Sequence, residues 1–246
     1  MNNEIYELDS SIESKHWWFI VRRNLLKFYI KKFNLHSHAK IIDIGCATGS
    51  NLRLLKDMGF KNYLGLDNNI LSKKFIESKN LGEVIIGDIC NNNFDDKTFD
   101  LIIATDVLEH INDDNLALKE MRRILKDNGK IIITVPCFQS LWSIHDDLVM
   151  HKRRYLKAEL NAKILNNNFE IVESYYFNFL LFIPIYLHHK LTKILKIKQA
   201  SNVEFNNGFL NIIFKFIFNL DIKIARFLNP RFGVSCITIC SPKLDY

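Results

Sequence analysis

Short apolar runs recur along the chain, separated by segments in which apolar residues return every three or four positions. The run KIIDIG at 40–45 ends in glycine and predicts a strand covered on both faces, where apolar residues need not alternate with polar ones. At 49–58, Leu52, Leu55 and Met58 share one helical face and Gly59 supplies the stop. NYLGLD at 62–67 predicts a second strand, and a polar helix follows over about 70–79. EVIIGD at 83–88 and TFDLIIATD at 98–106 predict the third and fourth strands. The segment 113–127 is amphipathic through Leu116, Met121, Ile124 and Leu125, and ends before Gly129; KIIITVP at 130–136 is the fifth strand. After a charged loop come a helix over about 156–167, a strand at 169–177 and a last strand at 233–241. Strands that alternate with helices at this spacing predict an α/β fold, a parallel sheet with helices on both faces.

An insertion of about fifty residues separates the last two strands. It holds FLLFIPIYLHHKLTKILKIK (179–198) and GFLNIIFKFIFNLDIKIARFL (208–228). Neither offers the roughly 20 uninterrupted apolar residues of a membrane span: Pro184, His188 and His189 break the first, Lys215 and Asp221 the second. Both carry apolar and basic faces, which leaves two readings open, helices lying on an anionic membrane surface or a helical lid. The expected organisation is an N-terminal helical cap over 1–36, a ligand-binding α/β domain over 37–178, the insertion over 179–230, and the final strand within 231–246.

Charge sharpens this division. The formal net charge is +6, and from Leu181 onward nine Lys/Arg face three Asp/Glu, so the preceding 180 residues hold 24 of each sign. A nucleic-acid-binding domain shows its basic excess across the fold, so no nucleic-acid partner is expected. The five cysteines show no C-x-x-C pairing and MNNEIYELDSS does not resemble a signal peptide, so reduced thiols in the cytoplasm are expected.

The sharpest chemical signal is DIGCATG, Asp43 to Gly49, which follows a strand and opens a helix, the place where α/β sheets bind nucleotide-like ligands. A dinucleotide fingerprint asks for glycine at 45, 47 and 50. Here Gly45, Ala47 and Ser50 stand instead, with a glycine at 49 and a carboxylate at 43. A pyrophosphate disfavours that carboxylate, whereas an amino group matches it and helix N-terminal amides hold a ligand carboxylate. The ligand so described is a nucleoside with an amino-acid end, which fits S-adenosylmethionine. Asp67 ends the second strand, where a carboxylate accepts ribose hydroxyls. Asp88 ends the third, placed to take an adenine amino proton with Ile89 packed on the ring. Taken singly, such aspartates often only cap the following helix.

DIGCATG, GLD, GDI and FDLIIATDVLEHI, in that order, resemble the class I S-adenosylmethionine-dependent methyltransferases. The last motif, with Asp106, Glu109 and His110, is similar to the quinone-pathway subgroup, while HWWFIVRR at 16–23 and SLWSIHDDLVMHKRRY at 140–155 resemble the type 11 and type 23 methyltransferases. The resemblance spans nearly the whole chain and is weakest over 179–230. It implies a Rossmann-like seven-stranded methyltransferase sheet, with a cofactor set of Asp43, Gly45, Cys46, Ala47, Gly49, Asp67, Asn68, Asp88, Ile89, Thr105 and Asp106. Ala47 departs from the family's usual glycine; the added methyl is tolerated if φ there stays negative.

The remaining candidates lie on the acceptor side. Trp17, Trp18, Arg22 and Arg23 either line the mouth of the site or pack on the sheet edge. His110 either orients the acceptor or anchors the next helix. In HDDLVMHKRRY at 145–155, His145 or His151 is a candidate general base, with Asp146 orienting the imidazole. Arg153, Arg154 and Tyr155 either hold an anionic acceptor or fix the loop by salt bridges. His145, Asp146 and His151 supply three metal-type ligands but no fourth of matching spacing, so no metal is expected. The expected acceptor is small or lipid-linked, such as a quinone precursor, a glycolipid or a polyprenyl-linked sugar, with oxygen favoured; the competing readings are an inactive binding module at a membrane surface and, less favoured, a nucleic-acid methyltransferase. The second lacks support because ATDVLEH is not an Asn/Asp-Pro-Pro-aromatic motif.

Overall fold

The structure is a computed structural model and describes residues 3–194 and 208–244. Its elements run α1 (Asn3–Ile12), α2 (Trp17–Lys32), β1 (Lys40–Ile44), α3 (Ser50–Asp57), β2 (Asn62–Asp67), α4 (Ile70–Ser78), β3 (Glu83–Ile86), β4 (Phe99–Thr105), α5 (Asp114–Ile124), β5 (Leu125–Pro136), α6 (Ile144–Leu148), α7 (Lys157–Asn166), β6 (Phe169–Phe177), α8 (Phe182–Ile194), α9 (Gly208–Leu228) and β7 (Ser235–Pro242). The strands form one sheet in the order β3-β2-β1-β4-β5-β7-β6. Strands β1 to β5 pair in parallel, and β7 runs antiparallel to both neighbours. This is the Rossmann-like α/β sheet of the class I methyltransferases.

Two cores form on opposite faces, because Ile42, Ile44, Ile131 and Ile133 point one way and Ile41, Ile103 and Ile132 the other. The first core takes Ala117, Leu118 and Met121 of α5 and Leu160 and Ile164 of α7. The second takes Val21, Leu25 and Tyr29 of α2, Leu52 and Leu55 of α3, and Phe218 and Ala225 of α9.

The predicted strands and helices match in order, and three boundaries moved inward or outward. β5 begins at Leu125, within the segment read as helical, because its start pairs with Phe99 before the register shifts. β3 stops at Ile86, and α6 folds inside the loop read as irregular. Residues 195–198 of the first predicted insertion helix lie outside the described residues.

Helix α9 packs on α2 and β6. Its fully buried Phe218 stacks on Trp18 with ring centroids 5.2 Å apart and lies 5.9 Å from Phe177. Asp221, read from the sequence as a break in an apolar helix, is buried and accepts the N–H groups of Asn178 (2.6 Å) and Leu180 (2.8 Å). It therefore fastens α9 to the end of β6. Burial raises its pKa to about 6 while those amides work in the opposite direction. No helix among the described residues is long and apolar enough to cross a membrane.

Candidate active site

The C-terminal ends of β1 and β4 open into a cavity of about 620 Å³, a size typical of small-molecule sites. Its walls come from the loop after β1, the end of β4 with the turn that follows, the 143–154 segment, residues of β5 and β7, and a roof of α1, α2, α8 and α9.

The loop after β1 is shaped by backbone constraints. Gly45 has φ +68°, and a Cβ there would lie 2.6 Å from Val107 Cγ2. Gly65 of β2 leaves room for Cys46, whose Sγ would sit 2.6 Å from a Cβ. Ala47 has φ +43°, so the negative value on which its tolerance is conditioned is not met. A left-handed alanine costs about 1–2 kcal/mol relative to ordinary backbone, and the N–H it presents is held by Asp67 Oδ2 at 2.8 Å. Asp67 Oδ1 accepts from Asn69 N (2.8 Å) and the Tyr6 hydroxyl (3.3 Å). A carboxylate offers about four acceptor positions, so one remains, and two if Tyr6 gives way. Asp43 is buried; its Oδ1 accepts from Asn51 at 3.0 Å while Oδ2 has no partner. Burial, the largest effect, raises its pKa to about 7. A buried carboxylate oxygen without a hydrogen-bond partner among the described residues, beside the glycine loop, fits the ammonium of the expected ligand.

Helix α1 closes this end. Glu13 accepts from the Thr48 hydroxyl and from Lys79 Nζ (2.7 Å), and Arg23 Nη1 reaches Ser50 Oγ at 2.8 Å. Neither Glu13, Thr48 nor Asn51 was expected from the sequence; only the packing of α1 over the loop brings them together. Asp88, Ile89 and Asn68 stand apart from the cavity, and Asp43, Gly49 and Asp67 are not among the residues that line it. Asp88 is exposed and bonds Cys90 N at 2.9 Å, Asn68 is exposed, and Ile89 is buried in the core.

At the end of β4, Asn51 Nδ2 reaches Thr105 Oγ1 at 3.0 Å. Asp106 pairs with Arg22 Nη1 at 2.6 Å and accepts from Thr134 at 3.0 Å. Arg22 lies 5.4 Å from the Trp18 ring centre, and Trp17 packs on Phe214 and Phe218. Trp17, Trp18 and Arg22 therefore both line the cavity and hold the roof.

The 143–154 segment is organised by Asp146, which is fully buried. It accepts from Arg154 Nε (2.8 Å) and Nη2 (3.0 Å), from Ser143 N (2.8 Å), and from His151 Nδ1 (2.8 Å). Burial acts to raise its pKa, but the bonds from His151 and Arg154 outweigh that and hold it well below the usual carboxylate range. Asp146 thus orients His151, not His145. His145 has an unpartnered Nδ1, and burial lowers its pKa to about 4; burial likewise lowers His110 to about 3. Both imidazoles are neutral near pH 7. Of the three residues expected to meet an anionic acceptor, only Arg154 borders the cavity. Arg153 pairs with Asp114 at 3.1 Å, and the buried Tyr155 hydroxyl bonds the same carboxylate at 2.7 Å, so these two fix the segment to α5. His188 and His189 of α8 also line the cavity.

Residues 42–133 match the family described as "Methyltransferase domain". The chain is 33% identical over 135 residues to the uncharacterized protein MJ0638 of Methanocaldococcus jannaschii, covering 54% of this chain and 57% of that one. It is 30% identical over 137 residues to a demethylmenaquinone methyltransferase of Staphylococcus epidermidis, covering 50% and 56%. The chain thus spans a little over half the length of these relatives. Among solved structures, a chain of the Haloferax volcanii complex containing the Trm112 methyltransferase activator superposes with TM-score 0.65 at 17% identity, covering 99% of this chain and 96% of that one. An S-adenosylmethionine-dependent methyltransferase from Archaeoglobus fulgidus superposes with TM-score 0.55 at 19% identity, covering 89% and 94%. Sequence match and sheet order converge: residues 42–133 match a methyltransferase domain, the whole chain has the fold of the S-adenosylmethionine-dependent methyltransferases, and the cofactor these imply is S-adenosylmethionine.

Proposed function

We propose that this chain transfers the methyl group of S-adenosylmethionine to an oxygen of a small or lipid-linked acceptor. The supporting observation is one cavity that joins the glycine loop on one wall to His110, His145 and His151 on another. Bound there, S-adenosylmethionine supplies a sulfonium-activated methyl group. Asp43 Oδ2 suits its ammonium, and the N-terminus of α3 suits its carboxylate. The protein's remaining tasks are alignment and exclusion of water, which the aromatic roof of Trp17, Trp18 and Phe214 serves. His151, with Nδ1–H donated to Asp146, turns Nε2 inward as the basic nitrogen best placed for an acceptor hydroxyl. Calorimetry is expected to give one-to-one binding of S-adenosylmethionine and of its demethylated product. Lipid and glycan extracts of cells with and without the protein are then expected to differ by one methyl mass. Absence of cofactor binding sinks the enzymatic reading.

A lipid-linked acceptor is favoured by the two insertion helices. Leu181, Pro184, Ile185, Leu210 and Phe214 face the cavity, while Ile183, Leu187, Ile212, Phe216 and Phe227 of the same helices are exposed. Lysines 190, 215 and 223 are exposed among them, the composition of a surface that lies on anionic lipid. Flotation with anionic liposomes is expected to carry the intact protein, and Phe216→Ser with Phe227→Ser to release it. A protein that stays at the bottom of the gradient refutes the membrane part alone.

A further inference from the structure

Beneath the acceptor side of the cavity, Glu109, His110 and His151 bring one ligand atom each within 4.8 Å of one another. Glu109 is fully buried and neither carboxylate oxygen has a hydrogen-bond partner among the described residues. Leaving a buried carboxylate without partners is costly, and nothing in the methyl-transfer reading uses this one. Its Oε1 lies 3.8 Å from His151 Nε2, and the rings of His110 and His151 meet edge to face at 4.7 Å.

The outer contacts are those that metal-binding histidines carry. A ligating histidine donates its second ring N–H to a carboxylate or a carbonyl, which fixes the tautomer and the ring plane. His151 Nδ1 is bound to Asp146 at 2.8 Å, leaving Nε2 turned toward Glu109. His110 bonds the backbone of Met150, and one of its ring nitrogens lies within 4.8 Å of the ligand atoms of Glu109 and His151. Asp146 itself is saturated by Arg154, Ser143 and His151, so it serves as an outer partner. The nearby charges include Asp106 and Asp146, paired with Arg22 and Arg154, and Lys152, whose Nζ bonds Asn112 Oδ1. Glu109 supplies the anionic ligand that would balance a cation at this point.

We infer that Glu109, His110 and His151 form a binding site for one divalent transition-metal ion, whose open coordination positions face the acceptor. Two histidines and a carboxylate are the ligand set of catalytic zinc and of non-haem iron sites with vacant positions. Metal–ligand bonds near 2.0–2.1 Å place tetrahedral ligand atoms roughly 3.3 Å apart, so the Glu109–His151 pair must close by about half an ångström. An acceptor hydroxyl coordinated there ionises at lower pH: the O–H bond breaks, the proton passes to water, and the oxygen stays bound to the metal facing the methyl group. His151 would then act as a ligand and not as the base. The site stands independently of methyl transfer.

The test is titration of the purified full chain, freed of metal by chelation, with Zn²⁺ by calorimetry and with Co²⁺ by visible absorption. Wild type is expected to bind one equivalent and to give the d–d bands of low-coordinate cobalt. Glu109→Gln and His110→Ala are each expected to weaken binding tenfold or more and remove those bands, while His36→Ala retains both. Circular dichroism and S-adenosylmethionine affinity measured on the same samples report folding and the methyl-donor site separately. Wild type that binds no metal, or variants that bind it as wild type does, overturns the site even where S-adenosylmethionine still binds. Failure of S-adenosylmethionine binding with metal bound overturns only the methyltransferase reading.

Discussion

Replacing Asp146 with alanine is expected to lower stability by about 3–5 kcal/mol, because it strands a buried cation. Arg154 has a side-chain exposure of only 7%, and both its Nε and Nη2 lose their acceptor. Ser143 N and His151 Nδ1 lose theirs as well. In a domain of this size each kcal/mol shifts Tm by about 2–4 °C, so calorimetry should show a fall of roughly 10 °C. Adding Arg154→Met to Asp146→Ala should recover most of it, since the stranded charge goes with the arginine. A loss below about 1 kcal/mol for the single variant contradicts this account. The sign with pH follows from the folded carboxyl being held below its ordinary value. Its contribution is complete above the ordinary aspartate pKa of about 3.9 and disappears as the pH falls below that value. Wild type should therefore lose stability more steeply than Asp146→Ala on acidification below about pH 4.

Asp67→Ala is expected to abolish S-adenosylmethionine binding. The carboxylate restrains Ala47 N–H and Asn69 N–H, both at 2.8 Å, and so fixes the left-handed alanine and the start of α4. Hydrogen bonds to a charged group contribute about 1.5–3 kcal/mol each. Losing two should weaken binding a hundredfold or more before any contact to the ribose is counted. Calorimetry with the variant decides it: an affinity within a few fold of wild type, with the circular dichroism unchanged, would remove Asp67 from the cofactor site.

The sheet was legible because parallel strands covered on both faces carry their own signature, seen in KIIDIG and KIIITVP. The glycine loop was legible because Gly45 and Gly49 occupy positive φ at a strand-to-helix junction. Arg153, Arg154 and Tyr155 all fix the segment, two through Asp114 and Arg154 through Asp146, and only Arg154 also borders the cavity. Sequence spacing could not separate these, since adjacent residues of an irregular segment point in different directions. Glu109 was visible only as part of a motif; its isolation from every hydrogen-bond partner depends on residues 40 positions later folding over it. Likewise Glu13 meets Thr48 across 35 residues of sequence, and no local pattern announces that contact. Ala47 shows the converse, a substitution that looks conservative in sequence yet occupies the backbone region glycine would favour.

Strand β7 lies between β5 and β6, and β6 has no other partner in the sheet. During synthesis, β1 to β5 can therefore assemble as each emerges, whereas β6 waits for a strand some sixty residues further along. Both insertion helices are made in that interval, and Asp221 of α9 takes the amides of Asn178 and Leu180 just past the end of β6. The glycine loop, α1 and α2 thus belong to the early part of the molecule, and the α8 and α9 half of the roof to the late part. A chain that has emerged only as far as β6 has its cofactor loop in hand but lacks α9 and β7, which complete the roof and the sheet.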